Sequence, residues 1–360
     1  MASLPLEEKA GRAPGTQKLI SFVVSESRPL KKGAALEYKF LESAPRYTAT
    51  ALPRQFEVGT AKMKVGEHDV IFHVRTYPPD NILVEASMEV DDIFSDSTLT
   101  LREALVDACH AVAKKHGGDK EMSEEYSVAM VAGYNGDPEK FLTRKQEITA
   151  FLKSERLPLD EHEIEYTLSK QIKYGKDDLV IVDWDGAFVF DAKGEIDDVI
   201  DLLQTANLQL LRFRALDRLL DDRLHKVTRF ANLTTPTTTA HFLKNTLKNN
   251  REMVRAFQEV ISARTQAISD YEAIDRDIKL IGDWYSARLY ELVSKKFKLD
   301  EWKKGVQEKL ESLEDIYTII AENFSASRIQ FLELIQILLF FILQIGWFAL
   351  IILEFFYFTR

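Results

Sequence analysis

DDLVIVDWDGAFVFD, residues 177–191, decides the architecture of this chain. Two apolar runs, LVIV and AFVF, rich in β-branched and aromatic residues, flank Asp185-Gly186, a pair favoured in tight turns, so the stretch predicts a β-hairpin. Everything before Glu195 shares this strand-rich texture. SVAMVAG (Ser127 to Gly133), HDVIFHVRTY (His68 to Tyr77) and NILVEASMEV (Asn81 to Val90) read as further strands. Two helices interleave with them. One is expected to open at Thr100, with Glu103 three residues on as a capping box, and the other follows GDPEKF with Pro138 near its first turn. DEHEIEY (Asp160 to Tyr166) reads as an acidic, solvated strand entry, because one histidine among carboxylates makes no metal site.

After Glu195 the period changes from two to between three and four. Residues 195–230 predict a long helix with leucines on more than one face and acids in the first turn, where the helix dipole favours them. ANLTTPTTTA then reads as a turn, stopped by Pro236. A second long helix is expected from about 241 to 281. There Leu247, Val254, Ile261 and Ile268 recur every seventh residue, and Leu243, Phe257, Tyr271 and Ile278 form a companion seam. From Leu299 onward Trp302, Val306, Leu310, Leu313, Tyr317, Ile320, Phe324, Phe331 and Ile335 draw one stripe, with no proline before the apolar run at Leu334 to Leu353. One continuous helix entering a bilayer is the expectation.

That run holds about twenty residues without a formal charge, the length that crosses a hydrocarbon core. Leu334, Leu338, Phe341, Trp347, Leu350 and Leu353 mark it as a membrane anchor, and Phe355 to Phe358 place aromatic rings at its far end. The expected class is therefore α+β: a mixed α/β domain (18–192) after a flexible tail (1–17), then a long-helix antiparallel bundle with coiled-coil-like seams (193–333) and one transmembrane helix (334–358). The opening MASLPLEEKAGRAPGTQ matches neither a secretory signal nor an Arg-rich transit peptide. The large N-terminal part is accordingly expected on the cytoplasmic or matrix side of a single-pass membrane protein.

A net charge of -10 argues against a surface built throughout for nucleic acid, and a single cysteine, Cys109, excludes a disulfide framework. Phosphate loops, dinucleotide fingerprints, H-E-x-x-H and G-x-S-x-G are missing from the sequence, so no catalytic residue, cofactor or metal is assigned. One charged pattern stands out. Lys244, Lys248, Arg251 and Arg255 recur in steps of four, three and four, which lays four cations on one helical face. They are a candidate contact for RNA or anionic lipid headgroups, weighed against pairing with an acidic helix of the same chain.

The hairpin, the long leucine-bearing helix, the segment IGDWYSARLYELVSKKFKL, the passage EKLESLEDIYTII and an immediate membrane run follow one another in an order that resembles the family named for "required for meiotic nuclear division". The resemblance covers roughly Tyr126 to the C-terminus. It implies a membrane-anchored, homo-oligomeric scaffold or tether with no established catalytic residues, and it includes a mitochondrial relative linked to organelle translation. The expected function is that of a non-enzymatic scaffold recruiting an unidentified protein partner. A membrane-associated enzyme with its pocket in the α+β domain, or a coiled-coil tethering factor, stands as the alternative.

Overall fold

The computed structural model describes residues 15–27, 34–35, 55–233 and 284–358, with isolated helical positions between 258 and 272. The hairpin forms as expected. β8 (Asp178–Val182) and β9 (Gly186–Asp191) pair antiparallel, and the Asp183 amide donates to the Gly186 carbonyl at 2.9 Å. Its turn differs in detail from the expectation: Trp184 and Asp185 are the central pair, and Gly186 begins the second strand. Glycine is needed there for close approach, since a Cβ would meet the Ser127 carbonyl oxygen at 2.8 Å.

Outward from the hairpin, β1 (Gln17–Ser27), β2 (Ala34–Ala35), β3 (Phe56–Val65), β4 (His68–Tyr77), β5 (Asn81–Glu89), β6 (Gly118–Val131) and β7 (Gln171–Ile172) complete the sheet. Among the described residues it is nine-stranded, in the order β2-β3-β4-β5-β1-β6-β9-β8-β7. All neighbours are antiparallel except β6 and β9. β6 pairs with β1 along its length, from Gly118 to Val131, but with β9 only from Ser127 to Val131.

One face of the sheet is covered by α1 (Asp96–Lys115) and α2 (Lys145–Lys153). Leu19, Val23, Phe72, Val84, Phe188 and Phe190 pack there with Leu105, Cys109, Val112 and Phe151. α1 starts at Asp96 after Ser95, so the expected capping box at Thr100 falls inside the helix. The DEHEIEY stretch is also not a strand entry. Asp160 accepts from the His162 amide at 2.9 Å and caps α3 (Glu161–Leu168), because a short carboxylate satisfies an otherwise unpaired first-turn N–H. After Asp137 the chain makes a 3-10 turn (Pro138–Arg144) before α2.

The opposite face carries α4 (Asp197–Leu233), whose residues Gln204, Arg212 and Arg214 bond to Glu85, Asn81 and Glu124 of the sheet. α5 (Trp284–Lys296) adds Leu289, Tyr290 and Val293 to the buried set, and the Tyr290 hydroxyl pairs with Gln209 of α4. Residues 1–217 with 270–305 make one compact unit, and 218–269 with 306–360 a second. The expected boundary at 192/193 lies well before the first of these divisions. The start of α4 and all of α5 therefore cluster with the sheet.

α6 (Leu299–Phe358) is a single helix of 60 residues, as the stripe and the missing breaker imply. In the second unit Lys309 of α6 meets Asp221 of α4 at 2.7 Å, and Leu220, Val306 and Leu313 are buried. Most of the expected helix at 241–281, the turn at Pro236 and the tail up to residue 14 lie outside the described residues.

Candidate functional site

The sheet unit gathers charge around the hairpin turn. Arg102 of α1, 6% exposed, donates through its guanidinium to the carbonyls of Phe151 and Asp185 and lies 5.0 Å from the Phe151 ring centroid. Burial lowers its pKa, against the attraction of Asp185. The Asp183 carboxylate accepts from Trp184 N at 2.8 Å and from Lys296 Nζ at 2.8 Å, with Lys153 Nζ 3.4 Å from its other oxygen. Burial alone would raise this carboxyl, but the hydrogen bond and charge of Lys296 prevail and hold it below the ordinary range. Tyr126 donates to the Asp183 carbonyl at 3.0 Å, and Phe297 lies edge-on to both Trp184 and Tyr126. The root of α6, just past Phe297, is thus pinned beside the turn by the Lys296–Asp183 ion pair and by the ring contacts of Phe297 with Trp184 and with Tyr126 of β6.

Beside the turn, where β9 ends and β6 continues alone, lies a cavity of about 270 Å³. His110 of α1, Lys120, Glu124 and Glu125 of β6, Trp184 and Asp185 of the turn, and Asn207 and Leu210 of α4 line it. Helices from both faces of the sheet overhang the notch, which is why residues nearly a hundred apart in sequence meet there. His110 Nε2 lies 2.9 Å from Glu125 Oε2. That hydrogen bond lowers the Glu125 carboxyl below its usual range, and a carboxylate can only accept, so the proton sits on Nε2. Burial raises the Glu124 carboxyl, opposed in part by Arg214, and burial also raises Asp185, opposed in part by Arg102. A second cavity of about 430 Å³ shares His110 and Lys120 and reaches Ser25, Asp107 and Gly118.

None of these lining residues stands in a local motif. His110, Glu125, Asp185 and Asn207 come from two helices, a strand and a turn, and only DWDG carried a signal, as a turn. The four cations Lys244, Lys248, Arg251 and Arg255 lie outside the described residues. Leu334, Leu338, Phe341, Trp347, Leu350 and Leu353 all fall within α6, and the last five are exposed. Cys109 is buried, donates weakly to the Ser21 carbonyl at 3.7 Å, and has its thiol pKa raised by burial.

With this geometry in place, comparison with known proteins adds a relation without an activity. The model of the family described as "Uncharacterized protein MJ0711, N-terminal domain" matches residues 27–197, the stretch that builds most of the sheet and ends just after the hairpin. The chain is similar to an archaeal protein. "Uncharacterized protein MJ0711" of Methanocaldococcus jannaschii is 27% identical over 246 residues, covering 68% of this chain and 72% of that protein. The alignment is longer than the 171 residues of the family match, so the similarity extends beyond that domain. No solved structure matches the chain.

Proposed function

We propose that this chain is a single-pass membrane-anchored scaffold or tether. In this reading the α+β unit faces the cytoplasmic or matrix side, recruits a protein partner, and is held by a long-helix bundle that self-associates. The observation that carries the reading is α6. Residues Ile335–Phe355 are apolar enough and long enough to cross a membrane, and none of that span is buried. At 1.5 Å per residue the 21 residues reach about 31 Å, close to a hydrocarbon core of about 30 Å. A soluble protein would bury such a helix, whereas here Phe340, Phe341, Leu343, Trp347 and Leu350 are all more than half exposed. The helix continues without interruption from Leu299 to Phe358, and its root is fixed to the hairpin turn through Lys296 and Phe297. The order of elements that resembles the meiotic nuclear division family supports the same reading.

Alkaline carbonate extraction of the full-length chain tests the anchor: the protein is expected in the membrane pellet, and recovery in the soluble fraction overturns the assignment. Mass measurement in detergent tests self-association, which a strictly monomeric particle removes. Protease protection of sealed vesicles reads the sidedness.

The coiled-coil tethering alternative required the stripe to be open in the free chain. Val306 and Leu313 are already buried within one chain, which speaks against it. The enzyme alternative has one observation in its favour, the His110–Glu125 pair beside a cavity, whose geometry puts an N–H on Nε2.

A further inference from the structure

The cavity at the β6 notch presents hydrogen-bond acceptors with too few donors. Asn207 is 2% exposed, and its Nδ2 donates to the Leu203 carbonyl at 2.9 Å, one turn back along α4. The amide nitrogen must be the donor to a carbonyl, so Oδ1 is the atom left over, and among the described residues it has no partner. Oδ1 keeps access to the notch, so a molecule entering the cavity can donate to it without displacing a protein hydrogen bond. Asp185 adds a carboxylate that makes no hydrogen bond among the described residues, and Glu125 commits one oxygen to His110 and leaves the other free.

The remaining walls narrow the choice of ligand. Glu124 is engaged by Arg214. Lys120 is mostly exposed and lies 3.5 Å from Asp107, so it does not fill the acceptor side. Trp184 and Leu210 contribute an indole and an aliphatic surface. Among the described residues no His, Cys, Asp and Glu group is arranged to hold a metal ion. What fits a lone amide oxygen, unmatched carboxylates, an indole and a short apolar wall is a molecule that donates several hydrogen bonds, carries positive charge and has a small hydrocarbon body. The volume lies just below the range of about 300–1,000 Å³ typical of small-molecule sites, which limits its size.

We propose that this cavity binds a small organic cation, a guanidinium or primary ammonium on a short aliphatic chain, with Asn207 Oδ1 and the Asp185 carboxylate accepting from its N–H groups and Trp184 against its body. Burial raises the Asp185 and Glu124 carboxyls, and a bound cation would offset that cost of desolvation. Because Trp184 touches Phe297 at the root of α6, the occupied site adjoins the joint from which the long helix departs.

Calorimetric titration of the full-length chain in nonionic detergent with agmatine provides the test, with the uncharged N-butylurea and inorganic phosphate as comparators. Saturable agmatine binding is expected, with butylurea and phosphate weaker by at least about tenfold. Asn207→Leu and Asp185→Asn should each weaken agmatine by about tenfold or more, and Asp185→Asn, which keeps the side chain's shape and the Arg102 bond to that residue's backbone carbonyl, should still show a cooperative thermal transition. Absence of saturable agmatine binding, phosphate or butylurea binding as tightly, or unchanged agmatine affinity in both variants would each overturn the proposal. None of these outcomes touches the anchor, which is read by extraction and depends on residues 335–355.

Discussion

The two faces of the central sheet are built on different chemistry. On the face under α1 and α2, Phe188 stacks with Phe94 and Phe190 and meets Phe151 edge-on, and the surrounding wall is almost wholly leucine, valine and isoleucine. On the face under α4, apolar residues such as Phe22, Leu83 and Val128 share the interface with buried Gln204, Thr205, Asn207 and Gln209. Arg75, Glu85, Asn81 and Glu124 reach up from the strands to bond α4. Apolar contact is large in sum but has no direction, so it holds two layers together without fixing how far one has slid along the other. Hydrogen bonds to charged groups contribute less in total and fix position. α4 carries Asn207 into the cavity, so its axial position sets the geometry of the site. One face supplies cohesion and the other placement.

The largest effect is expected where cohesion is removed. Phe188 is fully buried among three other rings, and Phe188→Ala should cost about 3–5 kcal/mol through lost transfer energy and the cavity left behind. Urea unfolding of the full-length chain in nonionic detergent measures it. A loss below about 1 kcal/mol would mean that the aromatic cluster collapses around the gap, and that this face is softer than its packing implies.

A smaller effect is expected on the placement face. Gln204 donates to Glu85 at 2.7 Å and accepts from Arg75 at 3.3 Å, while Arg75 and Glu85 also meet each other at 3.3 Å. Gln204→Leu keeps the volume and the ion pair but strips one bond from each charge, so it should cost about 1–3 kcal/mol. Its signature should be positional: if α4 slides, agmatine affinity falls together with stability. A variant that loses stability and keeps its binding would show that the remaining bonds, Arg212 to Asn81 and Arg214 to Glu124, suffice to fix the helix.

How much of this was legible in the sequence follows the same division. Strands with one exposed face announce themselves, and His68–Tyr77 forms with the bounds its alternation implies. The central strand β1 is not among the strands that the pattern assigns, because its run LISFVV is buried on both faces and shows no period of two. The long helix at Leu299–Phe358 was legible because a stripe and an apolar run share one period without a breaker. Ser95 begins α1 without a side-chain capping bond, so the stronger sequence signal at Thr100 pointed five residues too late. The placement face and the cavity were not legible, since Gln204, Asn207, Glu85 and His110 look like ordinary polar residues until the sheet order brings their elements together. Pairing across such distances has no spacing to read.

The smallest expected effect concerns Asp201, the member of the placement network with the weakest support. Its carboxylate lies 3.8 Å from Arg75, which is already engaged by Glu85, and burial pushes its pKa up from 3.8 to about 6 against the partial pull of that shared guanidinium. A carboxyl whose pKa is higher in the folded than in the unfolded chain binds its proton more tightly when folded, so its contribution is fully present below the unfolded value and is lost as pH rises through the folded one. Stability of the parent chain should therefore fall between about pH 4 and pH 6, opposite to the trend of a well-paired carboxylate such as Asp183. The full displacement would be worth about 3 kcal/mol, and partial exposure of the side chain reduces this to about 1–2 kcal/mol. Asp201→Asn should remove that slope and leave the variant at least as stable as the parent at pH 7, measured as the pH dependence of the thermal midpoint in detergent. A slope that survives the substitution would assign it to another group, and a variant clearly weaker than the parent at pH 7 would mean that Arg75 holds both carboxylates as ions, making Asp201 a full partner in fixing α4.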